Sequence, residues 1–152
     1  MLSLARRKSI GHDNPPTFLG ADAEWLPFSD DAFDITSIAF GIRNVQDPLR
    51  GLQEMCRVTR PGGCVVVLEF TRPKAWVLGS VYGFYFRRVL PRLGSLLTGD
   101  RSGAYQYLHD SVMAFPEREQ FVDLMHRAGL VGGTLRTLTC GIAAIYCGKV
   151  PE

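Results

Sequence analysis

Three short stretches hold residues whose types and spacing could do chemistry. In DAEWLPF (22–28), the Asp22 carboxylate sits beside Ala23 and a run of chain amides. A carboxylate and exposed amides in a loop that follows a strand can hydrogen-bond the exocyclic amine and ring nitrogens of an adenine. The stretch also reads as a surface turn in which Leu26 and Phe28 plug the core. In FGIRNV (40–45), Gly41 lets a ligand approach the backbone closely. Arg43 brings a permanent cation and a five-donor fork suited to a phenolate or enolate oxygen, and Asn44 could orient the same group. The alternative is an Arg paired with an acidic neighbour where a helix begins. In RVTRPGGCVVVLEF (57–70), Pro61-Gly62-Gly63 makes a tight turn into an apolar run. Glu69, at the far end of that run, could serve a site or pair with an Arg.

The elements that must position these groups follow from pattern and punctuation. Residues 1–9 read as the end of a basic amphipathic helix, broken by Gly11 and by Asn14-Pro15-Pro16. Thr17–Ala21 is a short apolar segment, expected to be a strand. Ala32–Phe40 is a stronger strand, rich in β-branched and aromatic residues and closed by Gly41. Asp47-Pro48 starts a helix, with Asp as the cap and Pro at the first helical position. Leu49, Leu52, Met55 and Cys56 then recur at helical spacing, and the helix must end before Pro61. Continuous apolarity over Cys64–Leu68 predicts a strand buried on both faces, as in a parallel sheet covered by helices. Residues 117–128 predict an amphipathic helix stopped by Gly129. Thr134–Thr139 and Ile142–Cys147 predict a closing antiparallel hairpin. This order gives an α/β fold with a mainly parallel sheet, in which ligands bind where the parallel strands end.

Composition bounds the remaining possibilities. The chain has 152 residues, 46% of them hydrophobic, which suits a single globular domain. The formal net charge of +2 argues neither for nor against nucleic acid, and no basic patch runs through the whole chain. No apolar run reaches the roughly 18 residues of a membrane-spanning helix, and the N-terminus lacks the order of a secretory signal, so a cytoplasmic location is expected. Cys56, Cys64, Cys140 and Cys147 form no C-x-x-C pair, and the last three lie in β-like apolar runs, where cysteine acts as a small buried hydrophobe. His12, His109 and His126 are too scattered to suggest a metal cluster; no metal is expected. Between Arg72 and Arg101 six basic residues accompany one acid, Asp100, and large aromatics interleave with them. Such a segment suits the headgroup zone of an anionic membrane, or else forms a lid on the sheet with its arginines solvated.

Taken together, DAEWLPF, FDITSIAFGIRNV, RVTRPGGCVVVLEFT, RVLPRLGSLL and AYQYLHDSV resemble the UbiE/MenG family of quinone-precursor C-methyltransferases. The match runs in order from about Met1 to Lys149. AFGIRNV and the Glu-Phe-Thr that closes the apolar run are its most specific parts.

The resemblance implies a Rossmann-like class I methyltransferase sheet with a helical insert at about 72–115 and the closing hairpin, all within one partial domain spanning 1–152. It implies S-adenosylmethionine as cofactor and methyl transfer to a ring carbon of a polyprenyl quinol. Asp22 and Ala23 then fall where the family contacts adenine, with Ala39 and Phe40 on the cofactor side; Ala39 stands where the family often has Ser. Arg43 and Asn44 fall where the family handles the quinol oxygen, and Gly41 lies beside them. Tyr82, Phe86, Tyr105 and Tyr107 would line an apolar path for the isoprenoid tail. A full member carries about a hundred further residues at its front, including the glycine-rich loop that cradles the methionine end of the cofactor. No G-x-G occurs in this chain. The expectation is therefore an N-terminally truncated chain. It would act as the enzyme, as a homo-oligomer or with a complementing N-terminal half; the alternative is a catalytically incomplete fragment that serves as a binding or scaffold subunit or needs a partner for the missing half. Contact with the inner face of the membrane follows from the polyprenyl substrate.

Overall fold

The computed structural model describes residues 2–11, 13–72 and 104–152. Tyr82, Phe86 and most of the basic aromatic segment lie outside the described residues. The chain runs through helix α1 (Leu2–Lys8), strand β1 (Phe33–Ala39), a 3-10 turn (Ile42–Asn44), helix α2 (Pro48–Val58) and strand β2 (Thr59–Phe70). Helices α3 (Ala104–Ala114) and α4 (Glu119–Arg127) follow, then strands β3 (Val131–Leu138) and β4 (Ala143–Lys149). The four strands form one sheet in the order β1-β2-β4-β3. β1 pairs parallel with β2, whereas β4 runs antiparallel to both β2 and β3.

The local chemistry explains most of these elements. Asp47 caps α2: its side chain accepts from the amides of Leu49 and Arg50, and Pro48 follows it. α2 buries Leu52, Met55 and Val58, and α4 buries Phe121 and Met125. Both pack on the sheet face that carries Val65, Val67 and Tyr146, and these residues with Leu130 make the core. α4 ends at Gly129, whose φ of +99° admits glycine readily. The closing hairpin forms as expected, through a 3-10 turn at Thr139–Gly141.

Four expectations change. Thr17–Ala21 is not a strand; among the described residues no neighbouring strand meets it, and an extended segment without a partner satisfies no ladder. β2 is buried on one face only: Val65, Val67 and Glu69 are buried, while Cys64, Val66 and Leu68 are half-buried. The sheet is mixed rather than mainly parallel, because β4 inserts against the direction of its neighbours. Cys140 is exposed in a left-handed turn, and Cys56, Cys64 and Cys147 are half-buried rather than enclosed.

Pro61–Gly63, which the sequence offers as a turn ahead of the strand, lies inside β2 and shapes its first part. Between the pairs Phe33–Thr59 and Ile35–Cys64 the register shifts, so β2 bulges outward. A Cβ on Gly63 would sit 2.6 Å from the Thr59 side chain and 2.7 Å from the carbonyls of Arg60 and Asp34. Two of those atoms are backbone and cannot swing aside. Gly63→Ala is expected to lower stability by about 1–3 kcal/mol, read as a fall in the urea midpoint; an unchanged midpoint would show that the bulge relaxes freely.

Candidate active site

β1 and β2 end side by side, and the segments that follow them build the site. At the end of β1 the chain turns sharply at Phe40, a non-glycine residue held at φ 53°. Such a backbone costs of order 1–3 kcal/mol and persists only where neighbours enforce it. The Phe40 amide donates to the carbonyl of Leu68 at 2.8 Å, and its ring rests on Phe70 at 4.4 Å. Gly41 then opens the 3-10 turn, where a Cβ would press on Ile38 at 3.1 Å.

Arg43 projects from this turn into a buried corner. Its Nη1 donates to Glu69 Oε1 at 2.6 Å and to the Phe40 carbonyl at 2.9 Å. Its Nε lies 3.4 Å from Ser111 Oγ on α3, and its guanidinium stands 5.3 Å from the Phe70 ring centre. The two side chains of the ion pair are 8% and 2% exposed, so water screens their attraction little. Arg43 therefore does pair with an acid beside a helical turn, the structural alternative raised by the sequence. Glu69 Oε1 also accepts the Phe70 amide at 2.9 Å, whereas Oε2 is buried without a hydrogen-bond partner.

Next to Arg43, Asn44 is exposed, and its Oδ1 accepts from the Tyr107 hydroxyl at 2.9 Å. Through that bond Tyr107 ties α3 to the turn. The backbone of Tyr105 lies in α3, but its side chain is outside the described residues. Asn44, Val45 and Gln46 form one wall of a cavity of about 550 Å³, and Ala21, Asp22, Ala23 and Glu24 form the other. Asp22 and Asn44 thus share one space, open to solvent; Arg43 precedes Asn44 on the turn but does not line it, its side chain being directed to Glu69 and Ser111. Ala39, the last residue of β1, is exposed and does not line this cavity.

The loop that carries Asp22 is held by a clamp which sequence reasoning missed. Asp22 Oδ1 accepts the amide of Glu24 at 2.9 Å, and Glu24 Oε1 accepts the amide of Asp47 at 2.8 Å. Behind the loop, buried Glu54 accepts the Leu26 amide at 2.9 Å and both Nε and Nη2 of Arg57. Arg57 in turn donates to the carbonyls of Leu26 and Phe28 and to Asp30. The only signal was a Glu and an Arg three residues apart on α2, a spacing more often seen on a solvated helix face. Leu26 and Phe28 do not plug the core. Leu26 is half-buried and Phe28 exposed, and both line an apolar groove of about 280 Å³ beside β1 with Phe33, Ile35 and Met55.

Solved structures share this arrangement of sheet and helices. A SAM-dependent methyltransferase of Thermotoga maritima superposes with a TM-score of 0.67 over 98% of this chain and 68% of that one, at 22% identity. The cyclase SpnF superposes at 0.60 over 98% of this chain and 60% of its own, at 18% identity. The fold is therefore that of the class I methyltransferases, a scaffold that also hosts other chemistry. Residues 1–149 match the model of the ubiE/COQ5 methyltransferase family, and the chain belongs to that family. The ubiquinone/menaquinone biosynthesis C-methyltransferase UbiE of Bdellovibrio bacteriovorus is 50% identical over 88% of this chain, and UbiE of Geobacter sulfurreducens is 46% identical over 98%. The demethylmenaquinone methyltransferase of Thermus thermophilus is 48% identical over 99%. The chain spans 57%, 58% and 68% of the length of these three relatives.

The clamp makes a pH prediction. The Arg57 guanidinium, helped by the Leu26 amide, holds the Glu54 carboxyl down from 4.5 to about 2 against the opposing effect of burial. A carboxyl depressed by folding stabilises above its unfolded pKa and loses that contribution as pH falls through the folded one. Wild-type protein is expected to lose urea stability between about pH 5 and pH 2, and Glu54→Gln to flatten that part of the profile. Parallel profiles for the two proteins would show that the clamp does not depend on the charge of Glu54.

Proposed function

We propose that this chain carries the adenine-facing and ring-facing part of an S-adenosylmethionine-dependent C-methyltransferase, acting on a quinol ring in menaquinone or ubiquinone synthesis. The observation that carries the reading is the cavity in which Asp22–Ala23 and Asn44 face each other, Asn44 sharing its 3-10 turn with Arg43 of the buried Arg43–Glu69 pair. The names of the relatives supply the substrate class. Asp22 and the neighbouring amides fit the adenine end of the cofactor, offering a carboxylate acceptor and chain donors in a loop braced from behind by Glu54. Bound there, the cofactor would supply an electrophilic methyl group.

The chain's own residues then have defined tasks. Ionising a ring hydroxyl pushes electron density onto the adjacent carbon, and Arg43 stands where it can stabilise the resulting oxyanion. The Oδ1 of Asn44 is engaged by Tyr107, so its amide nitrogen is the part suited to orient that oxygen. The stacked Phe40 and Phe70 rings form an apolar wall beside the corner and help exclude water. A cytoplasmic site that meets the membrane only peripherally suits a polyprenyl substrate; among the described residues no helix is long and apolar enough to cross a bilayer.

A second reading is favoured by the open edge of the sheet. β1 pairs with β2 on one side only among the described residues, and Ile35 and Phe33 on it are 63% and 37% exposed. An apolar edge of this kind invites a further strand. In this reading a partner chain closes the edge and supplies the glycine-rich cradle, and the chain alone is a binding subunit.

Calorimetric titration with S-adenosylmethionine separates the two. Micromolar affinity for the isolated chain supports the first reading; binding only after a complementing half is added supports the second. In whichever form is active, Arg43→Ala is expected to lower methyl transfer by about 100-fold or more while cofactor affinity stays nearly constant. Unimpaired transfer by that variant would remove Arg43 from the mechanism.

A further inference from the structure

Glu69 is the feature that neither the fold nor the proposed chemistry yet explains. Its side chain is 2% exposed, and one of its two oxygens has no hydrogen-bond partner. A buried carboxylate oxygen left bare is costly, and such an atom in a folded protein calls for a ligand or a function. A purely structural partner for Arg43 would be expected to satisfy both oxygens.

We propose that Glu69 Oε2 is the proton acceptor for the ring hydroxyl of an aromatic substrate. The proposal deepens the methyltransferase reading and rests on it. An incoming hydroxyl donates to Oε2. The O–H bond breaks, its electron pair stays on the ring oxygen as aryl oxide, and the proton forms a new bond to Oε2. Before the step Arg43 is balanced by the Glu69 carboxylate. Afterwards Glu69 is a neutral acid and Arg43 is balanced by the aryl oxide. The buried corner holds the same net charge throughout, so no ion is left unpaired in a poorly screened site.

The surroundings suit this exchange. Arg43 is held by the Phe40 carbonyl as well as by Glu69 Oε1, so it keeps its place while its counter-ion changes. The Phe70 amide bonds Oε1, which leaves Oε2 as the oxygen that takes the proton. Oε2 is shut off from water, so an entering ring must shift a neighbour.

The test needs neither cofactor nor turnover. Binding of 2-naphthol to this chain is compared with binding of 2-methoxynaphthalene, which has the same ring system without the donor. The expected result is about tenfold or greater preference for the naphthol, the size of a hydrogen bond to a charged acceptor. In Glu69→Gln, whose amide offers a donor in place of Oε2, that preference should vanish, with circular dichroism confirming the fold. Should the variant not fold, wild-type protein carrying isotopically labelled glutamate decides the matter. A Glu69 carboxyl resonance that moves with the naphthol and not with the ether supports the assignment. Equal affinity for the two probes, or binding of neither at millimolar concentration, overturns it. Because no methyl transfer is measured, a chain that is inactive but discriminates the probes would defeat the activity reading alone.

Discussion

A guanidinium and a carboxylate meet at 2.6 Å where two parallel strands end, almost fully removed from water. Burying such a pair costs desolvation that its own attraction only roughly offsets, so its position matters more than any net gain in stability. Arg43 comes from the turn after β1, and Glu69 from the last turn of the ladder on β2. Their contact pins the two strand ends together. The Phe40 turn, the Phe40–Phe70 stack and the Tyr107–Asn44 bond all lie around that pin. Removing either partner would leave a lone buried charge in the corner, a much larger penalty than losing a surface ion pair.

The second brace works on the opposite wall of the cavity. α2 begins at the Asp47 cap and carries Glu54 and Arg57 on the side that meets the 22–30 loop. One helix thus packs its apolar stripe on the sheet and uses its polar margin to hold the loop that bears Asp22. The two walls are therefore referred to the same sheet, one through α2 and the other through β2. That shared frame allows separate loops to keep a fixed spacing around a ligand.

The parts of this arrangement legible in the sequence are those written in local pattern. The run around Ile35–Ala39, the Asp47-Pro48 helix start, Gly129 after α4 and the closing hairpin each follow from residue type over a few positions. Pro61-Gly62-Gly63 reads as a turn, yet it lies inside β2 as a bulge, and the crowding at Gly63 involves the Asp34 carbonyl, 29 positions earlier. Thr17–Ala21 had the composition of a strand but no neighbour, and pairing is not a local property. The apolar run at Cys64–Leu68 could not report that one of its faces is only half covered. Arg43 and Asn44 stood out by type and by family motif. The Glu54–Arg57 clamp did not, since an acid and a base one helical turn apart look the same whether they face water or a loop. The bare Oε2 of Glu69 lay beyond any pattern, because it depends on where every neighbouring donor points.

The central claim is that the Asp22 loop and the Arg43–Glu69 corner are two ends of one ligand site. A crystal structure of the protein, alone or with a complementing half, bound to S-adenosylhomocysteine and a short-chain quinol tests it most directly. Adenine is expected against Asp22 and Ala23, with the quinol ring within hydrogen-bond reach of Arg43, Asn44 and Glu69. Adenine bound away from the 21–24 loop, or a ring that leaves the Arg43–Glu69 corner untouched, would contradict it.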